Sequence, residues 1–503
     1  MTSSLPPTSQ DNQNLVRATL HGTFWLYAAT YSGKILVFIS TIILARLLAQ
    51  EDFGLAGYAL IVISFLDVLN DLGIGAAVIY HRDDPKVLNT AFWLNIATGI
   101  VLFGLTWLVA PLAAMFFKDP RIVPLTRFLG LSFPITAVGN IHSSLLRKNL
   151  TFKRKFIPDV TKSFGKGVVS IVLALLGMGA WSLVIAQVAG ASLAVVALWW
   201  VMPWRPAWQF DRQYARPLLG YGTNIVAVNG LGTFINQVDY LVIGRVLGAA
   251  ALGIYTLAFR IPELLVKDFC ANAGQVIFPA YAKIRDDVAA LSQGFLVTMR
   301  YMSMITVPVA FGLAAVSRPL VLTFFTDKWA EAIPVLSAIA LYTLIRSITF
   351  NIGDVYKAQG RPDILTKLSL VTAVLLTPSL WWAAVVVGSI TAVAWMQVVV
   401  ALITGAITLV VAARMLNTPL RVLFKTFLPS VIAGGVMAVV VRGLVDQLAA
   451  LAPIWQLMAG VAAGALVYGG IMWFWQREVI LQAVGSLRNA FSRRKSAEGV
   501  VGA

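Results

Sequence analysis

Residues Asn236–Asp268 read NQVDYLVIGRVLGAAALGIYTLAFRIPELLVKD. The stretch is apolar enough to cross a membrane, yet it carries Asp239, Arg260, Glu263, Lys267 and Asp268. It also restates the start of the chain. IILARLLAQEDFGLAGY (Ile42–Tyr58) and VIGRVLGAAALGIYTL (Val242–Leu257) align at one constant offset, which superposes Arg46 on Arg245, Leu48 on Leu247 and Gly54 on Gly253. The offset widens for HRDD (His81–Asp84) against IRDD (Ile284–Asp287), and again for Asn140-Ile141 against Asn351-Ile352. Weak matches whose offset drifts in one direction mark an old internal duplication. A repeat that carries charge inside apolar sequence points to a transporter.

Composition agrees. Of 503 residues, 59% are apolar and 12% charged, and the mean hydropathy is +0.81, which excludes a soluble globular chain. Fourteen apolar segments of bilayer-spanning length are centred near Leu36, Ser64, Gly104, Pro134, Val172, Ala189, Leu231, Phe259, Val307, Leu341, Leu375, Val399, Val436 and Gly464. They are read as helices, because lipid offers no partner to an open backbone. An even helix number per copy makes the copies parallel, helices one to six and seven to twelve, related by an axis along the membrane normal. The expected organisation is a tail 1–17, a six-helix bundle 18–201, a cytoplasmic linker 202–216, a second six-helix bundle 217–413, helices thirteen and fourteen in 414–476, and a basic cytoplasmic tail 477–503. Met1–Arg17 lacks the basic-then-apolar pattern of a signal peptide and reads as a short disordered cytoplasmic tail.

With the N-terminus inside, Lys and Arg favour the inner loops by about three to one. That asymmetry accounts for most of the +17 net charge and removes the need for a nucleic-acid partner. The basic loop RKNLTFKRKF (Arg147–Phe156) reads first as an anchor on the anionic inner leaflet, with headgroup capture as the sharper alternative. The pairs Asp83-Asp84 and Asp286-Asp287 fall at repeat-equivalent inner loops too short for a nucleotide-sugar domain, so helix capping is expected. Cys270 reads as a buried free thiol, and His142 as a polar packing contact rather than a proton relay.

Charges within spans cost at least ~2.5 kcal/mol each at the bilayer centre and are expected to face a protein interior or wet cavity. Arg260, Glu263 and Lys267 recur at i, i+3 and i+7 and share one helical face, with Pro262 interrupting the helix between them. On helix two, Asp67 and Asp71 stand at i, i+4 beside Asn70. Lys34, Asp239 and Arg346 are candidates for the same cavity between the two copies. Lys166, Arg300 and Asp354 lie close enough to span edges to snorkel and are set aside. The alternative is a set of static ion pairs that fix helix packing. The glycines Gly220, Gly222, Gly230, Gly232, Gly244 and Gly248 mark close helix contacts or a hinge.

ILARLLAQEDFGLAGYALIVISFLDVLNDLGIGAAVI (Ile43–Ile79) and QVDYLVIGRVLGAAALGIYTLAFRIPEL (Gln237–Leu264) resemble the polysaccharide-transporter branch of the MOP flippase superfamily, and within it the WzxC-like exporters. The resemblance spans most of helices one to ten. It implies an all-α membrane fold of about fourteen helices, with a V-shaped pair of six-helix bundles that rock between inward-open and outward-open states. The implied cargo is an oligosaccharide on a polyprenyl diphosphate, carried from inner to outer leaflet. Such a headgroup needs cations able to contact phosphate. Lys34, Arg260, Lys267 and Arg346 are the substrate-binding candidates; Asp67, Asp71, Asp239, Glu263 and Asp268 are the coupling or gating candidates.

Rival readings are a lipid II flippase, a multidrug extruder, or a membrane polysaccharide polymerase or ligase. Interior bases as numerous as acids favour an anionic cargo over cationic drugs. No nucleophile–base pair, metal motif or phosphate-binding glycine loop stands out, so the sequence indicates neither an enzyme nor a cofactor. Membrane lipids are expected partners, and a polysaccharide polymerase or co-polymerase complex is a candidate one.

Overall fold

The computed structural model describes residues 32–70, 84–149 and 151–499. The tail 1–17, Asp71 and His81–Asp83 lie outside these residues. Every regular element described is helical. In chain order they are α1 (32–47), α2 (Gln50–Asn70), α3 (Pro85–Phe117), α4 (Ile122–Gly130), α5 (Ser132–Lys148), α6 (Phe152–Leu175), α7 (Ala180–Val201), α8 (Arg212–Val246) and α9 (Gly248–Pro262). There follow α10 (Asp268–Lys283), α11 (Val288–Ala315), α12 (Ser317–Phe324), α13 (Ala332–Thr349), α14 (Ile352–Ala358), α15 (Pro362–Trp382), α16 (Ile390–Met415), α17 (Leu420–Gln447) and α18 (Pro453–Gly499). Each of the fourteen sequence centres falls inside a helix. Among the described residues, eleven helical stretches are long and apolar enough to cross a membrane. The centres near Leu36, Val172 and Leu231 fall in α1, α6 and α8. Of these, α6 opens on the basic run Phe152–Lys155, and α8 opens on Arg212-Gln213.

The helices pack as two compact units, Met1–Ala258 with Thr366–Met396, and Phe259–Leu365 with Gln397–Ala503. Packing and sequence repeat thus partition the chain differently, since the first helices of the second copy belong to the first unit.

Two aspartates set helix starts. Asp84 accepts the Lys86 amide at 2.9 Å to cap α3, whose first residue is Pro85. At the corresponding place in the second copy, Asp287 accepts the Ala290 amide at 2.9 Å to cap α11. The second member of each Asp-Asp pair is therefore a helix cap, because its carboxylate satisfies an orphan amide.

The two copies of the repeat motif meet each other within the first unit. A Cβ built on Gly54 would collide with the Ala249 carbonyl, and one on Gly253 would collide with the Gln50 carbonyl. Gln50 and Ala249, like Gly54 and Gly253, are repeat-equivalent, so the contact is reciprocal. Only a missing side chain lets the two backbones come this close. One turn on, a Cβ built on Gly57 would sit 3.3 Å from the Leu252 side chain. Beside the crossing, the buried Tyr58 hydroxyl donates to the Gly244 carbonyl at 2.8 Å, and its ring lies 4.2 Å from that of Phe117. Gly244 belongs to this contact, whereas Gly248, next after the Leu247 cap of α8 and the first residue of α9, has a φ of +88° that opens the joint between the two helices.

The linker after α7 is strapped to the same unit. Asn89 receives the Ala207 amide at 2.9 Å, Trp93 donates to the Ala207 carbonyl at 2.9 Å, and Trp93 stacks on Trp208 at 4.3 Å. His142 is fully buried, stacks on Trp199 at 4.7 Å and meets the Trp204 carbonyl through Nε2 at 3.2 Å; it is a packing residue. Cys270 is a buried free thiol.

Replacing Gly54 or Gly253 with leucine is expected to lower the thermal stability of the purified protein, since forcing extra carbons into a closed contact costs ~1–3 kcal/mol or more. Gly104→Ala, where a Cβ meets nothing within 4 Å, is expected to be neutral or stabilising. Equal melting temperatures for all three variants would contradict the crossing.

Candidate functional site

Pro262 has no amide hydrogen, and the helix widens immediately after it. Residues Glu263–Lys267 form a π-helical turn, closed by the Asp268 amide on the Glu263 carbonyl. Such turns insert one residue and re-aim the side chains around them. Here they draw three charges together in the second unit. Glu263 Oε1 accepts from Lys267 Nζ at 3.1 Å, and Glu263 Oε2 lies 4.0 Å from Arg260 Nη1. All three side chains are partly exposed, at 42% for Arg260, 31% for Glu263 and 43% for Lys267. The face expected from the i, i+3, i+7 spacing is thus formed, with one carboxylate between two cations. Val266 on the same turn is buried against Leu344 of α13, two residues before Arg346. Arg346 itself is exposed, and Asp268 is half-buried.

In the first unit, Asp239 is 2% exposed and accepts the Tyr255 hydroxyl at 2.8 Å. The Tyr240 ring stands edge-on to Tyr255 at 5.4 Å. Asp67 is exposed and accepts from Asn70 at 3.2 Å. Lys34 is half-buried on α1. Two features escaped the sequence. Tyr255 lies across the Gly248 joint from Asp239, where no helical spacing relates them. Asp354, set aside as an edge residue, is 8% exposed, pairs with Lys357 at 3.3 Å and lies against Gly274, where a Cβ would sit 3.0 Å from its Oδ2.

Several other cations of the first unit are held locally. Arg121 bridges Asp119 at 2.7 Å and Glu51 at 2.6 Å, tying the α3–α4 turn to the start of α2. Arg127 covers the Trp107 ring at 4.5 Å, and Arg245 covers Phe116 at 5.7 Å. Hydrogen bonding from Arg121 holds the Asp119 carboxyl below the usual carboxylate range, and the bonds to Asp119 and Glu51 push Arg121 upward.

This fold, all-helical in the described residues with many candidate spans and charge set into them, defines a multi-pass membrane protein. The lipid II flippase MurJ in its inward closed conformation superposes with a TM-score of 0.73 at 17% identity, covering 90% of this chain and 99% of that one. An inward-facing multidrug resistance MATE transporter superposes with a TM-score of 0.65 at 16% identity, covering 76% and 94%. The chain belongs to the polysaccharide biosynthesis protein family, which matches residues 43–334. It is 29% identical to the teichuronic acid biosynthesis protein TuaB of Bacillus subtilis, over 90% of this chain and 95% of the relative. It is 28% identical to the succinoglycan biosynthesis transport protein ExoT of Rhizobium meliloti, over 90% and 92%. It is 27% identical to the lipopolysaccharide biosynthesis protein WzxC of Escherichia coli, over 73% and 75%. The resemblance read from Ile43–Ile79 and Gln237–Leu264 is borne out at the level of family and fold.

Two measurements probe these charges. Tyr255→Phe removes a donor to a buried carboxylate and is expected to cost about 1.5–3 kcal/mol, visible as a lower melting temperature; an unchanged melting temperature would show that the bond carries no stability. Asp119 has a depressed native pKa, so its stabilisation is complete above the unfolded value of about 3.9 and is lost as the pH falls below it. Asp119→Asn should therefore show a smaller loss of melting temperature on acidification than the parent. Identical acid profiles would contradict the Arg121 pairing.

Proposed function

We propose that this protein is a flippase in the bacterial inner membrane, with both termini in the cytoplasm. It moves polyprenyl-diphosphate-linked oligosaccharide repeat units from the inner to the outer leaflet by alternating access, for exopolysaccharide, capsule or O-antigen biosynthesis. The observation that carries this reading is Glu263 shared between Arg260 and Lys267 at the π turn. A single carboxylate balances only one of the two cations, so the triad keeps a net positive charge. An incoming diphosphate can displace Glu263 and take both partners in charge-assisted contacts. Arg binds such oxygens in a bidentate fork and Lys binds them as a point charge.

Lys34 and Arg346 complete the proposed headgroup set. Asp67, Asp71, Asp239, Glu263 and Asp268 are assigned to coupling or gating, through ion pairs that exchange partners between states. The polyprenyl chain stays in lipid while the head crosses. Family membership and the transport role in the name of one relative support a carrier over an enzyme, and the delivered units pass to a polymerase or co-polymerase complex.

Leaflet-resolved labelling of lipid-linked oligosaccharide in producing cells, with and without the gene, tests the reading. Inner-leaflet accumulation without the gene is expected; normal crossing of unpolymerised units would overturn it. At matched membrane levels, Arg260→Ala and Lys267→Ala should weaken cargo binding roughly ten- to hundredfold, since each removes a charge-assisted contact. Lys153→Ala, at the exposed start of α6, should export normally. Equal export by all three would refute the headgroup assignment.

A further inference from the structure

The last helical stretch, α18, is two helices that meet at a kink at Gln476. The first, residues 453–475, covers ~35 Å at 1.5 Å per residue, which matches the ~30 Å hydrocarbon core. Residues 477–499 therefore lie beyond the crossing.

The structure marks where the crossing part ends. Residues Pro453–Val479 hold the span, and its body is fixed within the second unit. The Tyr468 hydroxyl donates to the Met304 carbonyl at 3.0 Å, and Gly460 lies against Val316 and Val441. Towards the end of that span come Trp473, Phe474 and Trp475, exposed by 44%, 91% and 54%. The Arg477 guanidinium sits 5.4 Å over the Trp473 ring. A run of exposed aromatics with a stacked arginine is the signature of a membrane–water interface. Between them, at Gln476, the backbone leaves the helical region with φ −133° and ψ 35°, and then resumes as helix to Gly499. The break therefore falls at the interface, where a change of direction leaves the span undisturbed.

Beyond the break the sequence changes character. Ile480, Val484, Leu487 and Phe491 recur at intervals of four, three and four, the spacing of one helical face. Arg488, Arg493, Arg494 and Lys495 are interleaved with or follow them, against Glu478 and Glu498. Arg494, three residues after Phe491, continues the stripe at its end, while Arg488 and Lys495 border it and Arg493 stands opposite. An apolar stripe bordered by cations suits the headgroup–acyl boundary, and cations near an anionic leaflet add attraction that salt screens.

We infer that residues 477–499 form a surface-docking helix that turns at Gln476 and binds anionic phospholipid headgroups. The inference needs only the membrane-spanning character of the chain and is independent of its cargo.

The test uses the full-length protein in nanodiscs. Leu487→Cys and Ser492→Cys variants, labelled with an environment-sensitive thiol probe, place the dye on the apolar and polar sides of the segment. Buried Cys270 in the unsubstituted protein supplies the labelling blank. In discs of phosphatidylcholine with phosphatidylglycerol, the probe at 487 is expected to be blue-shifted and the probe at 492 to emit as in water. The shift at 487 should fall by at least half in phosphatidylcholine alone, in high salt, and in the combined variant Arg488→Gln, Arg493→Gln, Arg494→Gln, Lys495→Gln. Water-like emission at both positions in both lipids would overturn the inference, as docking on a protein partner would also require. A shift indifferent to phosphatidylglycerol, salt and the charge changes would overturn the assignment of the ligand.

Discussion

One close approach governs the first unit. The backbones of α2 and α9 touch at Gly54 and Gly253, each against the carbonyl one turn earlier on the other helix. In lipid, hydrophobic surface alone gives helices little reason to associate, so backbone proximity and the dispersion it permits carry the packing. The positions are repeat-equivalent, and each copy supplies the other with the same small residue. Around this crossing the larger side chains fall into place, with Tyr58 on the Gly244 carbonyl and the Phe117 ring against Tyr58. These flanking contacts are not duplicated: the counterpart of Tyr58 is Leu257 and that of Gly244 is Ala45. Symmetry survives where sterics allow no alternative and has drifted where packing can be solved in several ways.

Charge follows a different logic. An ionised group in a span is retained only where pairing or function offsets its desolvation. Asp239 and Tyr255 resolve this in the interior through a buried hydrogen bond. Arg260, Glu263 and Lys267 remain partly exposed and unequal in charge. The π turn after Pro262 is what makes that arrangement structurally tolerable, because the missing amide hydrogen already disrupts the regular ladder there. The break and the charges belong to one device.

The chain's ends and joints are handled by polar groups at the interfaces. Asp84 and Asp287 start equivalent helices, the linker is tied down through Asn89 and Trp93, and Arg121 fastens the turn after α3 to the start of α2. None of these contacts asks a polar group to enter lipid without a partner.

By itself, the sequence determined the membrane class, the positions of fourteen helical segments, the capping role of the second aspartate of each Asp-Asp pair and the shared face of Arg260, Glu263 and Lys267. All of these are local or periodic properties, written in hydropathy, in short motifs and in helical spacing. Tertiary structure decided what joins distant segments. It paired Tyr255 with Asp239, buried Asp354 beside Gly274, brought the two repeat glycines face to face and assigned the first helices of the second copy to the first unit. Those outcomes depend on which backbones can approach and which side chains then fit. No spacing along the chain encodes such distances between segments, because they emerge only when the helices pack.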